Sequence, residues 1–529
     1  MKDRLKEVIA KTLGVDIELV EIEIPKNQEN GNYSSNICFK LASKIKKNPN
    51  QIGLELIDKI KMDEIAKIEV KSGFLNFYLK NDFMYENLNK ILKEKDNYGK
   101  NSFGKGQKIN LEYVSANPTG TLHIGHARGA AYGDSVARIL KFCGYDVTRE
   151  YYINDGGNQI NNLVNSIKVR YENICGIDSQ LALDAYHGEE IIKVAQKIYD
   201  KYQDKATEKE FRSYGLEYLL KEIKSDLTNF RTEFDIWFSE KSLYDNNKIS
   251  EVLEKLKTSQ YTYLENGALF LKTTLFGDSK DRVLVKSDQN NTYLLPDIAY
   301  HIDKYSRGYD KLIDVFGADH HGYINRLKAS LEMLNYDSKK LNIKILQMVR
   351  LLKNGEEIKM SKRTGKTLTM NDLVAEVGID AVRYFFAMHS LDVQMDFDLD
   401  LATKRSNENP VYYISYAHAR ICSIINDYNN EIDTNIKYET LNSTCAKDLL
   451  FKLYQFEDVV KLSANNLEPH VITNYVYDLA TLFHSFYAKE KILTNDIKYT
   501  SERINLIIAV KTVIKSALNL IGVEAPDKM

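Results

Sequence analysis

The sequence predicts an α/β protein: a doubly wound parallel sheet with a helical insertion, an amino-terminal α+β module and a carboxy-terminal α-helical bundle. Three observations carry this expectation. Strand-like runs at 108–114, 146–153 and 311–316 are separated by helix-patterned segments, the alternation of a parallel sheet. Residues 188–238 are helical and laced with Glu and Lys at i,i+4 spacing, and they fall between the two halves of that sheet. From Glu408 onward the pattern is almost wholly helical, with few glycines and prolines.

In chain order, residues 1–85 read as the small module. Positions 5–13 have helical periodicity, and 20–24 and 70–79 alternate like strands. Between them, Glu29-Asn30-Gly31-Asn32-Tyr33-Ser34-Ser35-Asn36 reads as a turn followed by a helix. A polar helix over 82–95 leads to the first strand of the main domain, 86–345. The next helix, 129–142, places Ala130, Val136, Ala137, Ile139 and Leu140 on its apolar positions. An insertion of about 160–285 ends in short strand patterns at 268–272 and 283–286. The second half of the sheet is expected to begin at Tyr293-Leu294-Leu295. Residues 346–405 connect to the bundle, 406–529.

Bulk composition excludes several classes. The chain has 529 residues, 43% hydrophobic and 28% charged, the balance of a soluble globular protein of several domains. A net charge of −2 excludes a broadly basic nucleic-acid binder, so any such surface must be a local patch. One candidate is 339–366, with nine Lys or Arg against Glu356 and Glu357. Cys38, Cys143, Cys175, Cys422 and Cys445 are scattered and odd in number, without Cys-x-x-Cys pairing. That pattern argues against a zinc ribbon or disulfide framework and for a reducing compartment. No run reaches the roughly 18 apolar residues of a membrane helix, so the expected protein is cytoplasmic, makes no membrane contact and is monomeric by default.

The chemistry concentrates in Ala116-Asn117-Pro118-Thr119-Gly120-Thr121-Leu122-His123-Ile124-Gly125-His126, between a strand and a helix. A helix start collects unpaired N–H groups and positive dipole ends, which attract phosphate. Two imidazoles there can donate to oxygens that gain charge during nucleotidyl transfer. His-x-x-His alone is a weak signal. The whole run, however, resembles the HIGH signature of class I aminoacyl-tRNA synthetases, and its Ala-Asn-Pro-Thr-Gly lead-in resembles the arginine-specific family. Lys359-Met360-Ser361-Lys362-Arg363 resembles the KMSKS signature, with Arg363 in place of the last serine. A basic loop of this kind can neutralise a leaving pyrophosphate. The order of the two motifs around an insertion supports the resemblance.

Several further segments resemble arginyl-tRNA synthetases. They are Gly317-Ala318-Asp319-His320-His321-Gly322-Tyr323, the helix opening Asn409-Pro410-Val411-Tyr412-Tyr413-Ile414-Ser415-Tyr416-Ala417-His418-Ala419-Arg420, the ending Gly522-Val523-Glu524-Ala525-Pro526-Asp527-Lys528-Met529, and Glu21 to Asn36 near the start. The resemblance implies a class I Rossmann-like catalytic domain, a stem-contact region over 346–405, an anticodon-binding bundle and an amino-terminal module that meets the tRNA elbow. It implies ATP-dependent activation of L-arginine and transfer to the 3′ end of tRNA(Arg), with activation awaiting bound tRNA. His123, His126 and Lys362 would be catalytic. ATP would meet the run from Ala116 to His126 together with Gly317, Asp319, His320, Lys359, Met360, Ser361 and Lys362. Arginine would meet Glu112, Asn117, His123, Tyr293, Asp297 and His321, and tRNA would meet Tyr413, Tyr416 and Met529. A guanidinium is a planar fork of donors, so carboxylates and a phenol are the right chemistry for its pocket. Asp-His-His could also ligate a divalent ion, but it is assigned here to ATP and arginine. Mg²⁺ would travel with ATP, and no protein-bound zinc or other metal is expected. Three rival readings remain: a cysteinyl synthetase, which would need a zinc thiolate site; a small nucleotidyltransferase, which leaves both terminal modules unexplained; and a tRNA-binding paralogue without catalysis.

Overall fold

The computed structural model describes the chain except residues 157, 183–184, 359–367, 429 and 435, and the side chains of Gln28, Asn158 and His321. The central sheet has five parallel strands in the order Leu341–Leu346, Lys311–Gly317, Lys108–Glu112, Asp146–Ile153, Ile236–Ser239. Chain order reverses between Lys311–Gly317 and Lys108–Glu112. Connections leave that point in opposite directions, which opens a crevice at the carboxyl ends of both strands.

The register has an unusual consequence. Asp314, Glu112 and Glu150 are direct neighbours across three strands of a buried sheet. Like charges side by side destabilise a sheet, so cations must cover them. Lys304, on helix Leu294–Ser306, is fully buried and donates to Glu112 at 2.5 Å and Asp314 at 2.8 Å. Arg307 makes a forked pair with Glu150 at 2.7 and 2.9 Å. His301 bonds Asp314 at 2.8 Å.

The structure differs from the sequence expectations at several points. Ile236–Ser239 lies within the run expected to be helical and within the 160–285 insertion, yet it forms the fifth strand. Its register places Trp237 beside Tyr151 and Phe238 beside Tyr152, with rings 4.4 and 6.1 Å apart, and this cross-strand aromatic packing overrides local helical pattern. The insertion is therefore interrupted. Helices Asn158–Ile174, Glu189–Tyr202 and Glu208–Asn229 share a core of their own, including Ile160, Ile167, Val194 and Phe211. The short strands Thr262–Glu265, Ala268–Leu271 and Arg282–Val285 form a separate sheet. Tyr293-Leu294-Leu295 opens a helix rather than a strand, with Pro296 in the first turn, where its missing N–H costs nothing. Residues 20–24 contribute only the single bridge Glu23↔Ser34. Strand Tyr33–Ser35 intervenes before helix Ile37–Ile45.

The amino-terminal module packs against the bundle through ring contacts such as Tyr33 with Phe451 at 5.5 Å. A buried arginine ties three regions together. Arg383 donates to Asp134 on helix Ile124–Phe142 at 2.5 Å, to the Phe230 carbonyl at 2.8 Å and to the Ile521 carbonyl at 3.0 Å. Gly522 is required beside it: its φ is +68°, and a Cβ there would fall 2.2 Å from the guanidinium. Arg383→Met leaves Asp134 with Arg138 alone, at 2.6 Å, and takes the donor from the buried Phe230 and Ile521 carbonyls, so it is expected to cost about 3–5 kcal/mol. A urea midpoint equal to wild type would remove this contact from the list of stabilising ones. No helix among the described residues is long and apolar enough to cross a membrane.

Candidate active site

The chain leaves strand Lys108–Glu112 through a strained turn. Val114 has φ 69° and Ser115 φ 40°, positions that non-glycine residues avoid and a β-branched valine most of all. Hydrogen bonds hold it: Ser115 Oγ donates to Glu112 at 2.9 Å and accepts from the Tyr152 N–H at 3.1 Å, and Tyr151 donates to the Ala116 carbonyl at 2.7 Å. The turn delivers Ala116 and Asn117 to the crevice and brings His123 to the start of helix Ile124–Phe142.

That helix start is capped by its two histidines. His123 Nδ1 accepts the Gly125 N–H at 3.0 Å, and His126 Nδ1 accepts the His123 N–H at 3.1 Å. The rings stack 3.7 Å apart. Accepting through Nδ1 places the proton of each neutral ring on Nε2, so both present an N–H donor. Burial, with His123 alongside, pushes His126 down to about 3, and it is neutral throughout the physiological range. Gly125 belongs to this arrangement too, because a Cβ would sit 2.9 Å from His123 Cε1.

A cavity of about 790 Å³ opens at the switch point and unites nine of the expected residues. Glu112, Ala116, Asn117, His126, Tyr293, Asp297, Gly317, Asp319 and His320 all line it. His123 is not among the lining residues but stacks on His126, which is. Pro118, Leu122 and Ile124 are buried supports, whereas Thr121 is exposed and Thr119 and Gly120 are half-buried. Glu112 lines the floor, but its carboxylate is already engaged by Lys304 and Ser115. Tyr293 is 61% exposed and forms the rim. Asp319 and His320 contact each other at 3.7 Å. The side chain of His321 and all of Lys359, Met360, Ser361 and Lys362 lie outside the described residues. Thr369, just beyond that run, is bridged to His123, and the Met370 N–H donates to the Leu122 carbonyl at 2.8 Å. The carboxyl flank of the basic run is therefore fastened to the histidine motif.

Two carboxylates, Asp297 on the cavity wall and Glu240 behind it, are held by phenols rather than cations. Asp297 accepts from the Tyr323 hydroxyl. Glu240, 4% exposed, accepts from Tyr152, a lining residue, at 2.8 Å. Neither has an ion pair among the described residues. Burial raises the Asp297 carboxyl, and burial together with Asp297 raises Glu240 to about 7. Glu240 was missed by sequence reasoning, as were Tyr152, His301 and Lys304, and Tyr323 was quoted in its motif without a role of its own. Glu240 follows a four-residue strand that read as helix, so no local signal pointed to it.

In the bundle, Tyr413 packs against His484 at 4.4 Å, and Tyr416 stacks on the Arg420 guanidinium at 5.2 Å. Tyr487 covers the other side of Arg420 at 5.1 Å. Met529 is 60% exposed. The expected tRNA residues thus sit in a half-exposed aromatic and basic cluster and at the chain's exposed end. In the basic segment 339–366, Arg350 pairs with Asp396 and Lys353 with Glu376.

Residues 87–385 match the family model described as tRNA synthetases class I (R), catalytic domain. Sheet, switch-point cavity and capped histidine motif are accordingly those of a class I aminoacyl-tRNA synthetase. Residues 1–79 match the arginyl tRNA synthetase N terminal domain, and 414–529 the DALR anticodon binding domain. An arginine–tRNA ligase of Bacillus licheniformis is 48% identical over 547 residues, covering all of this chain and 98% of that one. One from Bacillus subtilis is 48% identical over 551 residues, covering 100% and 99%. The solved arginyl-tRNA synthetase of Thermus thermophilus shares the fold over 100% of both chains, with a TM-score of 0.79 at 20% identity. The chain belongs to the arginyl-tRNA synthetase family.

Proposed function

We propose that this chain carries out its family's reaction, the ligation of arginine to tRNA, in the cavity at the switch point. An arginine carboxylate oxygen attacks the α-phosphorus of ATP, arginyl-adenylate forms and pyrophosphate leaves. A ribose hydroxyl of the 3′-terminal adenosine of tRNA then attacks the adenylate carbonyl, and AMP departs. The observation that carries the amino-acid assignment is the pair of buried carboxylates, Asp297 and Glu240, hydrogen-bonded to phenols and in no ion pair among the described residues. A guanidinium supplies the missing charge and the planar fork of donors.

Asp297 binds the guanidinium directly, with Tyr293 at the rim, and the Tyr152–Glu240 pair backs it. Glu112 adds negative potential to the floor. Asn117 and His123 serve the α-amino and carboxylate groups, and His321 completes the arginine set. The Nε2–H groups of His123 and His126 stabilise the phosphates, which also meet the helix start. Gly317, Asp319 and His320 take the nucleotide. Lys362, with Lys359, Met360 and Ser361, neutralises the departing pyrophosphate, and Mg²⁺ arrives with ATP. Tyr413, Tyr416 and Met529 face the anticodon region of tRNA(Arg). The amino-terminal module meets its elbow, and 346–405 meets its acceptor stem. Activation awaits bound tRNA, and the working unit is a monomer.

ATP–pyrophosphate exchange with each amino acid, with and without tRNA, tests this reading. Exchange with arginine only in the presence of tRNA is expected. Exchange with cysteine, or none with any amino acid, would overturn it.

Arginine binding should also release a proton. Glu240 is raised to about 7, so much of it is protonated below that pH, and a nearby guanidinium draws it back to the carboxylate. Affinity for arginine should therefore fall as pH drops below about 7, by no more than about tenfold per unit for one group. Because the folded value lies above the ordinary glutamate value of 4.5, Glu240 favours the free fold below 4.5. This contribution is lost as pH rises through 7. Calorimetry at pH 6 in buffers of different ionisation enthalpy reads the released proton, and Glu240→Gln should abolish it. A buffer-independent heat for the wild type would contradict the assignment.

A further inference from the structure

Outside the cavity, one group of side chains brings together donors of different chemistry. His418 and Cys422 lie one turn apart on helix Pro410–Asp427, both buried, facing the tail that follows the last helix. Cys422 Sγ is 3.3 Å from Asp527 Oδ1 and 3.8 Å from His418 Nδ1. His418 Nδ1 is 4.0 Å from Asp527 Oδ1 and 2.9 Å from the Pro526 carbonyl oxygen. A tetrahedral zinc-class ion has bonds of about 2.0–2.3 Å to these atom types, which places its ligands roughly 3.3–3.7 Å apart. The observed separations fall on both sides of that range, so gathering the donors around an ion needs shifts of only a few tenths of an ångström.

We propose that His418, Cys422 and Asp527 bind a divalent cation of the zinc class, with the Pro526 carbonyl or a water as fourth ligand. A thiolate and an imidazole select zinc, cobalt or nickel over magnesium or calcium, which prefer all-oxygen shells. Without metal, the donors form hydrogen bonds: the thiol donates to Asp527 and the imidazole to Pro526. On binding, the Cys422 proton leaves to solvent, and His418 moves its proton from Nδ1 to Nε2. The dication is then balanced by one thiolate and one carboxylate. Lys511 and Lys515 are close enough to act on His418 and Asp527, so coordinate bonds rather than a negative field hold the ion. Asp527 is exposed and provides the entry path. The bound ion fastens the tail that ends at Met529 to the helix bearing Tyr413, Tyr416 and Arg420. The scattered cysteines argued against zinc, but one thiol suffices where an imidazole and a carboxylate join it.

Titrating Co²⁺ into the metal-free full-length chain tests the proposal. One equivalent should give a thiolate-to-cobalt charge-transfer band in the near ultraviolet and tetrahedral d–d bands in the visible. Cys422→Ala should abolish the charge-transfer band and weaken Co²⁺ binding at least about 100-fold, since losing a ligand exceeds the usual loss of an outer partner. Asp527→Asn, on an exposed side chain, should keep the thiolate band and weaken binding at least about tenfold. It keeps the test informative if Cys422→Ala perturbs the helix. No charge-transfer band, a band that persists in Cys422→Ala, or unchanged affinity in Asp527→Asn would overturn the site.

Discussion

Asp297→Ala is expected to lower kcat/KM for arginine about 30- to 4,000-fold, mostly through KM for arginine, with KM for ATP changed little. Truncating one side of a buried, hydrogen-bonded charge pair costs about 2–5 kcal/mol, and each 1.4 kcal/mol is a factor of ten. The fold should tolerate the change. Asp297 lies in the first turn of helix Leu294–Ser306, where a carboxylate's interaction with the helix dipole contributes only about 0.3–1 kcal/mol. Its hydroxyl partner supplies the control. Tyr323→Phe leaves the charge and removes one hydrogen bond to it, so a loss of about tenfold or less is expected. Steady-state aminoacylation at varied arginine separates the two variants. Unchanged arginine kinetics in Asp297→Ala would remove this carboxylate from the pocket, and with it the reason for a cationic amino acid.

His123→Asn should lower kcat for adenylate formation by about 10²–10³, the usual result of deleting one preorganised donor to a developing oxyanion. Thermal stability should stay near wild type. His123 has two duties: its Nδ1 caps the helix by accepting the Gly125 N–H, and its Nε2–H is the proposed catalytic donor. Asparagine is among the best N-cap residues, so it takes over the first duty and lacks the second. Single-turnover pyrophosphate release and a melting curve on the same preparation distinguish them. A variant that melts earlier yet turns over normally would make His123 a structural cap only. Because His126 is already neutral well below pH 6, it should contribute no titration to kcat near neutral pH.

Local patterns in the sequence were enough for much of the fold. Asp146–Ile153 stands as expected, and Lys108–Glu112 and Lys311–Gly317 differ from expectation only at their ends. The histidine motif lies at a strand–helix junction because its glycines and apolar spacing permit little else. Short apolar segments were less legible. Ile236–Ser239 and Tyr293–Leu295 carry the same kinds of residues as helices and strands alike, and partners distant in sequence decide between them.

The site divides along the same line. Asn117, His123, His126, Tyr293 and Asp297 were readable because they lie in or next to contiguous motifs. Glu240, Tyr152, Lys304 and His301 were not, since each matters only through a partner on another element of the fold. Sequence alone determined the family, because its motifs depend on residue type and near-neighbour spacing; the proposed nucleotide-binding junction and the proposed carboxylate for the substrate's cation rest on the same motifs. Tertiary structure decided which buried carboxylates are already paired with the protein's own cations. Glu112 looked available in the sequence, but parallel pairing sets it beside Asp314 and Glu150 and obliges Lys304 to cover them. Asp297 and Glu240 lie outside that row and are held by phenols, so the row's cations do not pair with them, because like charges buried in register must be neutralised from within.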